Sequence, residues 1–210
     1  MKRLLFNTIV ALLALLATPT ASAEEEGANA RQARHIFDKA YNQIYGPEGA
    51  SFDYRISILK IYSEVGSGWY KGDKSKSVSR KSIIWNNGDI KYILRKGKGI
   101  VEIHDPKVNK KDKLLQKFKF NLDDFTYRIK EADDKNLLIT LTAKRGAKTS
   151  MSKIEAHLDR TTLYPIDLAI KVSFFWAHVY FSNFKAGGLP DDLFVFPREK
   201  YPNYKIVDER

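Results

Sequence analysis

Hydrophobic and polar residues alternate along much of this chain, with the period of two that predicts β-strands. Apolar residues occupy every second position in residues 51–61, 89–94 and 166–172. Such alternation is typical of strands that bury one face. Asn87-Gly88 predicts a tight hairpin, because asparagine and glycine tolerate positive φ. Further strands are predicted at residues 66–71, 77–85, 99–104, 125–129, 136–143, 151–159 and 174–181.

One stretch has the period of a helix instead. Between residues 30 and 45, apolar residues recur at spacings of three and four, and Gly46-Pro47 ends the pattern. The apolar face of this helix is expected to lie on the sheet. The polar residues 24–29 before it predict a mobile start of the domain. The apolar helix face consists of Ile36, Phe37, Ala40, Tyr41 and Ile44.

The last long strand is apolar on both faces. Trp176 and Tyr180 share one face, whereas Ala177, Val179 and Phe181 share the other. A strand with two apolar faces needs a cover on each side, and the sequence offers one substantial helix. We therefore predict that Trp176 and Tyr180 face a ligand-binding surface. The alternative is that both faces contact protein.

The connection formed by residues 105–122 is polar and rich in lysine. Leu114, Leu115 and Phe118 form a small apolar stripe, which predicts a short helical lid over a groove. Its lysines would meet an anionic membrane or an acidic partner, or would serve solubility alone. The lysines in question are Lys107, Lys110, Lys111, Lys113, Lys117 and Lys119.

The N-terminus has the features of a signal peptide. Lys2 and Arg3 precede an apolar run over residues 4–17, and Ala21-Ser22-Ala23 provides a cleavage site for signal peptidase. We expect a mature chain of residues 24–210 that forms a single domain in the periplasm. The absence of cysteine excludes disulfides, thiol catalysis and lipidation at a cysteine.

The charge of the mature chain narrows the choice of partners. Residues 24–210 contain 34 basic and 25 acidic side chains, a net charge of +9. Although nucleic acid is the usual partner of a basic chain, export argues against it. Anionic lipid or an acidic protein surface fits the expected compartment better.

Catalytic and metal-binding patterns are weak. The histidines His35, His104, His157 and His178 lack the spacing of metal ligands, and no Gly-x-Ser-x-Gly motif occurs. The paired aspartates at residues 123–124, 133–134 and 191–192 lie where turns are predicted. We therefore expect no enzymatic activity, no metal and no cofactor.

Aromatic residues favour a binding function. Many of the 26 aromatic residues lie in predicted strands, where they could line one apolar surface or belong to an ordinary core. We predict that they form an acyl-binding groove with the lid. The predicted groove residues are Trp69, Trp85, Tyr92, Leu114, Leu115, Phe118, Phe174, Trp176 and Tyr180.

Several short pieces are similar to LolA-type outer-membrane lipoprotein carriers. They are Gly66 with Lys71-Gly72, Trp85 with Asn87-Gly88, Leu193-Phe194-Val195-Phe196, Lys200-Tyr201-Pro202 and Asp208-Glu209-Arg210. The order of predicted elements resembles that family over nearly the whole mature chain. In better-studied members an arginine after the glycine-containing strand latches the lid, whereas the corresponding step here is Lys71-Gly72 or Gly72-Asp73.

The resemblance implies a fold and a function. The fold would be mainly β with α, an unclosed antiparallel β-barrel of about nine to eleven strands with one N-terminal helix packed on its concave face and a short helical lid. The function would be a monomeric periplasmic carrier of acyl chains, most naturally those of lipoproteins. Its partners would then be an inner-membrane release complex and an outer-membrane acceptor. The alternative is a non-enzymatic binding or structural module of the envelope that uses the same fold.

Overall fold

The computed structural model describes residues 20–59, 61–106 and 121–210. Helix α1 (Thr20–Tyr45) is followed by twelve strands. The strands are β1 (Ala50–Ile58), β2 (Tyr62–Lys71), β3 (Lys74–Ser79), β4 (Ser82–Asn86), β5 (Lys91–Arg95), β6 (Ile100–His104), β7 (Phe125–Ala132), β8 (Asn136–Ala143), β9 (Met151–Asp159), β10 (Pro165–Val172), β11 (Phe175–Ala186) and β12 (Lys205–Asp208). The lid predicted at residues 105–122 lies almost entirely outside the described residues.

All twelve strands form one sheet that does not close into a barrel. The order is β12-β6-β5-β4-β3-β2-β1-β11-β10-β9-β8-β7, so β12 and β7 are the edges. This open half-barrel with one helix confirms the fold class predicted from the sequence. The strand number exceeds the expected nine to eleven. One pairing also differs, because the C-terminal β12 runs parallel to β6 and all other neighbours are antiparallel.

The extra strand results from a turn at Arg80 and Lys81 that the alternation of apolar and polar residues does not predict. Residues 77–85 were expected to form one strand, but the chain reverses between β3 and β4 at Arg80 and Lys81. The buried hydroxyl of Ser79 accepts hydrogen bonds from the backbone N–H groups of Lys81 and Ser82, each at 3.3 Å. A serine side chain can replace the usual glycine or asparagine of a turn in this way.

Helix α1 covers the concave face of the strands from β7 to β10. Ala33, Phe37 and Ala40 pack against a cluster in which Ile139 and Leu141 are fully buried. The helix begins before residue 30, and residues 24–29 are helical rather than an irregular start. No helix among the described residues combines the length and the apolar character that a bilayer crossing requires.

The opposite, convex face has its own cover at the other end of the sheet. The C-terminal segment, residues 187–204, crosses β3 to β6 and places Phe196 beside Trp85, with the ring centroids 5.3 Å apart. Leu94 and Val101 complete this second buried cluster. The two covers therefore lie on opposite faces of one sheet.

Candidate functional site

An apolar groove lies between α1 and the concave face of the sheet, where the helix no longer covers the strands. Its volume is approximately 540 Å³, within the range of small-molecule sites. No charged residue among those described lines it. The lining residues are Phe37, Ala40, Tyr41, Ile44, Tyr45, Phe52, Tyr54, Ile56, Tyr70, Ser77, Met151, Ile154, Leu158, Pro165, Leu168, Ile170, Val179 and Phe181.

The strand register explains why these residues share one face. Ile56 on β1 lies opposite Val179 on β11, which in turn lies opposite Leu168 on β10. Residues opposite each other in a ladder point to the same side of the sheet. The floor of the groove is therefore made by the central strands β1, β11 and β10. The C-terminal half of α1 supplies the facing wall through Tyr41 and Ile44.

Aromatic rings close one end of the groove. Phe52 stacks on Tyr70 at 5.5 Å and meets Phe181 edge-on at 5.1 Å. Tyr45 packs edge-on against Tyr70, with the ring centroids 5.6 Å apart, and its ring centroid lies 4.6 Å from that of Tyr41. Phe52, Tyr70 and Tyr45 belong to the start of β1, the end of β2 and the end of α1, which lie at the same end of the sheet. The groove thus has a closed aromatic end.

Two glycines of β2 make room for these rings. A Cβ atom added at Gly66 would lie 2.7 Å from the Tyr54 hydroxyl, and one at Gly68 would lie 2.8 Å from the Tyr70 ring. Real Cβ atoms do not approach other atoms so closely. The Gly66-Ser67-Gly68 sequence therefore allows bulky side chains from β1 and β2 to fold over the strand, as glycines in strands do where another group approaches closely.

The environment of the groove favours neutral groups. Burial is the main cause that raises the pKa of Tyr54 to about 12, with smaller contributions from Tyr70, Glu64 and Tyr62. Burial also raises the pKa of Tyr70. Since a phenol in such surroundings stays uncharged at neutral pH, the groove presents apolar surface with a few neutral hydroxyls. This chemistry suits an apolar ligand and not an anion.

The residues predicted for the groove on β11 lie on its other face. Trp176 pairs with Lys171, and Tyr180 pairs with Arg55, whose guanidinium carbon lies 4.6 Å from the Tyr180 ring centroid. The prediction assigned the helix to the face of Val179 and the ligand to the face of Tyr180. The structure corrects this assignment, because α1 covers β7 to β10 and leaves the Val179 face of β11 open.

The other predicted aromatic residues are dispersed. Trp85 and Tyr92 belong to the cluster under the C-terminal segment, and Tyr92 stacks on Phe196 at 4.8 Å. Trp69 lies on the convex face with the Lys76 ammonium 5.4 Å from its ring centroid. Phe174 is 87% exposed at the β10–β11 turn. None of the predicted strand aromatics lines the groove, and these placements replace the single surface that was expected.

The predicted lid and its lysines lie outside the described residues. This concerns Leu114, Leu115, Phe118, Lys107, Lys110, Lys111, Lys113, Lys117 and Lys119. Lys71, one of the residues that the resemblance places at the latch step, lies within the described part. Its ammonium donates to the Leu189 carbonyl and to Asp191, each at 2.9 Å, and so holds the C-terminal segment.

The residues that the prediction missed did carry a sequence signal. Phe52, Tyr54 and Ile56 alternate with polar residues on β1, and Leu168 and Ile170 do so on β10. Alternation identifies an apolar face, but it does not say whether protein or ligand covers that face. In the described residues, no group of three His, Cys, Asp or Glu side chains could hold a metal ion.

Comparison with known proteins gives a similarity of fold. No protein-family model matches the chain. No curated protein matches it either. A conserved protein from Thermus thermophilus is 8% identical, with a TM-score of 0.55 over 85% of this chain and 99% of that one. MucB is 11% identical, with a TM-score of 0.50 over 84% of this chain and 66% of MucB.

A LolA superfamily protein from Nitrosomonas europaea is 12% identical, with a TM-score of 0.38 over 78% of this chain and 97% of that one. Similarity at such low sequence identity indicates a shared fold only and does not indicate a shared substrate or partner. The architecture itself consists of an open sheet of twelve strands with one helix on its concave face. This architecture agrees with the LolA-like fold that the resemblance in sequence implied.

Proposed function

We propose that this protein binds acyl chains in the groove and carries them through the periplasm without catalysing a reaction. The observation that carries the proposal is the groove of approximately 540 Å³, whose lining in the described part of the chain contains no charged residue. Each methylene of an acyl chain that moves from water into the groove contributes about 0.8 kcal/mol of favourable binding free energy. An apolar groove of this kind therefore binds acyl chains strongly. A wall of large rings offers contact area with little loss of side-chain freedom.

The cargo and partners follow from the resemblance to lipoprotein carriers. We propose the acyl chains of lipoproteins as cargo, received from an inner-membrane release complex and passed to an outer-membrane acceptor. Native mass spectrometry of the protein isolated from its own periplasm tests this directly. Co-purified lipoprotein or acyl lipid supports the proposal, whereas a stable protein partner without lipid supports the alternative of an envelope binding module.

The groove itself is tested by filling it. Val179 lies at its centre, between Ile56 and Leu168, whereas the adjacent His178 points to the other face of β11. Val179→Trp should weaken binding of a fluorescent fatty acid by about tenfold or more, because displacing about two methylenes forfeits that much affinity. His178→Trp adds a similar ring outside the groove and is the matched control. Equal affinities in the two variants would contradict acyl binding at this site.

A further inference from the structure

One end of the half-barrel is formed by five turns that differ in charge from those at the other end. We call it the basic rim; it comprises the turns β1–β2, β3–β4, β5–β6, β8–β9 and β10–β11. The strand register places these turns together. Ile58 at the end of β1 pairs with Ala177 near the start of β11, and Val172 at the end of β10 pairs with Met151 at the start of β9.

The described residues of the basic rim include seven exposed cations and no acidic side chain. The cations are Arg80, Lys81, Lys96, Lys98, Lys144, Arg145 and Lys148. None of them takes part in the ion pairs of the described residues. The acidic residues nearest in sequence, Glu64 and Glu102, lie within β2 and β6, where they accept hydrogen bonds from Tyr62 and Arg95 respectively. Asp123 and Asp124 precede β7 at the same end, and Asp123 accepts a hydrogen bond from Arg34 at 3.0 Å.

The turns at the opposite end have the reverse composition. Their described acidic residues are Glu48, Asp73, Asp89, Asp133 and Asp134, and all five are exposed. Only Lys135 and Arg160 are basic among the described residues of those turns. Among the described turns, positive charge is therefore concentrated at one end of the sheet and negative charge at the other.

Apolar side chains protrude from the basic rim. Ile61 is 88% exposed and Leu59 is 54% exposed in the β1–β2 turn, and Phe174 is 87% exposed in the β10–β11 turn. Because β1 and β11 are neighbours, these two turns are adjacent. Neighbouring exposed apolar side chains that form a patch mark sites of contact with a protein or a membrane.

The backbone gives no reason for a leucine in the first of these turns. Leu59 has a φ of 52°, in the left-handed region that glycine and asparagine adopt at lower cost. The side chain is therefore not explained by the turn that carries it. A contact outside the chain would explain it.

We propose that the basic rim docks on an anionic lipid bilayer, with Leu59, Ile61 and Phe174 inserted between headgroups and the seven cations on lipid phosphates. The partner is a lipid surface because its apolar layer accepts isolated side chains from separate turns. A protein partner would need a continuous complementary surface of several hundred Å². The absence of acidic side chains from the described residues of these turns suits a uniformly negative surface.

The groove reaches this rim. Its lining residue Met151 is the first residue of β9, and Ile56 and Ile170 lie two residues before the ends of β1 and β10. Docking would bring this end of the groove to the bilayer, and the closed aromatic end would face away. This last step rests on the proposed function. Membrane docking itself is measured separately, without an acyl ligand.

The apolar contribution is tested with vesicles of phosphatidylcholine and phosphatidylglycerol, by co-flotation of the purified protein. The combined variant Leu59→Asn, Ile61→Ser, Phe174→Ser should bind the vesicles with an affinity lower by about tenfold or more. The reason is that it lacks the three apolar side chains that would insert into the bilayer. The control Val65→Ser, Ile166→Ser, Val195→Ser changes three exposed apolar residues away from the rim and should bind as the parent does. Leu59→Asn alone should retain or raise the melting temperature while it weakens binding, which separates function from folding.

The electrostatic contribution is tested with a charge-matched pair. Lys98→Gln, Arg145→Gln, Lys148→Gln should weaken binding by about tenfold or more, since one cation at an anionic surface is worth about fivefold. Lys39→Gln, Lys135→Gln, Lys185→Gln removes the same charge elsewhere and should have a much smaller effect. Both variants leave residues 107–120 unchanged, so the predicted contribution of that connection is constant.

Three outcomes would overturn the proposal. They are equal binding of the two charge variants, unchanged binding of the apolar rim variant, and binding of the parent only when an acidic protein is added to the vesicles. Fluorescent fatty-acid binding by the rim variants should equal that of the parent. Loss of vesicle binding with retained acyl binding supports membrane docking by the basic rim. If the parent protein does not bind acyl chains, that result contradicts the proposed function of the groove and leaves membrane docking unaffected.

Discussion

The two halves of the sheet are built from similar strands, yet they bury opposite faces. In the half from β7 to β10, α1 covers the concave face, and Ile139 and Leu141 are inaccessible to solvent. In the half from β3 to β6, the C-terminal segment covers the convex face, where Leu94 and Val101 are buried. The cover therefore changes sides across the central strands β1, β2 and β11.

The groove lies at this change of side. On β11, Val179 faces the concave side beyond the reach of the helix-filled core, and no element among the described residues fills the space before it. If α1 or another element covered the same face along the whole sheet, no uncovered apolar surface would remain for a ligand. The comparison teaches that the binding surface follows from where the covers end, and not from any single strand.

The largest effects are expected where either cover meets the sheet. Leu141→Ala and Leu94→Ala should each lower the free energy of unfolding by about 2–5 kcal/mol, because each leaves a cavity in a closed cluster. Val179→Ala in the open groove should cost less than about 1.5 kcal/mol, because the site is already open to solvent. Urea denaturation measures all three variants. A cost for Val179→Ala as large as the other two would show that the groove is ordinary core.

A smaller effect on stability, with a clear effect on the groove, is expected from Gly68→Ala. The added Cβ meets the rings of Tyr70 and Phe52, and overpacking of this kind costs about 1–3 kcal/mol. The displaced rings should also reduce fatty-acid affinity. Gly97→Ala is the control, since nothing lies within 4 Å of its added Cβ, although its φ of 79° adds local strain. Unchanged acyl binding in Gly68→Ala would show that this glycine does not set the ring positions on which ligand affinity depends.

A modest dependence on pH is expected for the cover of the β3–β6 half. Hydrogen bonds from Lys74 and Lys71 lower the pKa of Asp191 from 3.8 to about 2. A carboxyl group whose pKa is depressed in the folded state stabilises the protein above its unfolded pKa, and this contribution is lost as the pH falls from about 4 to 2. Trp85 fluorescence should report loosening of the C-terminal segment in that window. Asp191→Asn should abolish this part of the pH dependence, and an identical profile in the variant would contradict the assignment.

The smallest effect is expected on the convex face of β11. Trp176→Ala with Tyr180→Ala should leave fatty-acid binding unchanged, because both side chains lie on the face opposite the groove. The Arg55 contact with Tyr180 is exposed and should contribute little to stability. Competition with a fluorescent acyl probe checks this, with Val179→Trp as the positive control. A large loss of affinity would restore the original prediction for these two residues.

The sequence by itself determined the helix and most of the strands, and the resemblance to LolA-type carriers implied the fold class. The spacing of Phe37, Ala40 and Ile44 identified the helix, and the alternation around Phe52 and Ile170 identified strands with one apolar face. Local patterns determine these features because the helical period and the strand period are properties of the backbone. The tight turn after Ser79 and the parallel pairing of β12 escaped this reasoning, since both depend on hydrogen bonds to specific partners.

Only the tertiary structure decided which apolar face is the groove. Trp85 and Val179 are both apolar strand residues, yet one lies beneath the C-terminal segment and the other beside an open space. The hydrophobic effect is non-directional, so a pattern of apolar residues states that a face is buried and leaves its partner unspecified. The long-range placement of α1 and of residues 187–204 supplies that partner. The same holds for the basic rim, whose turns are far apart in sequence and adjacent only through the register of the sheet.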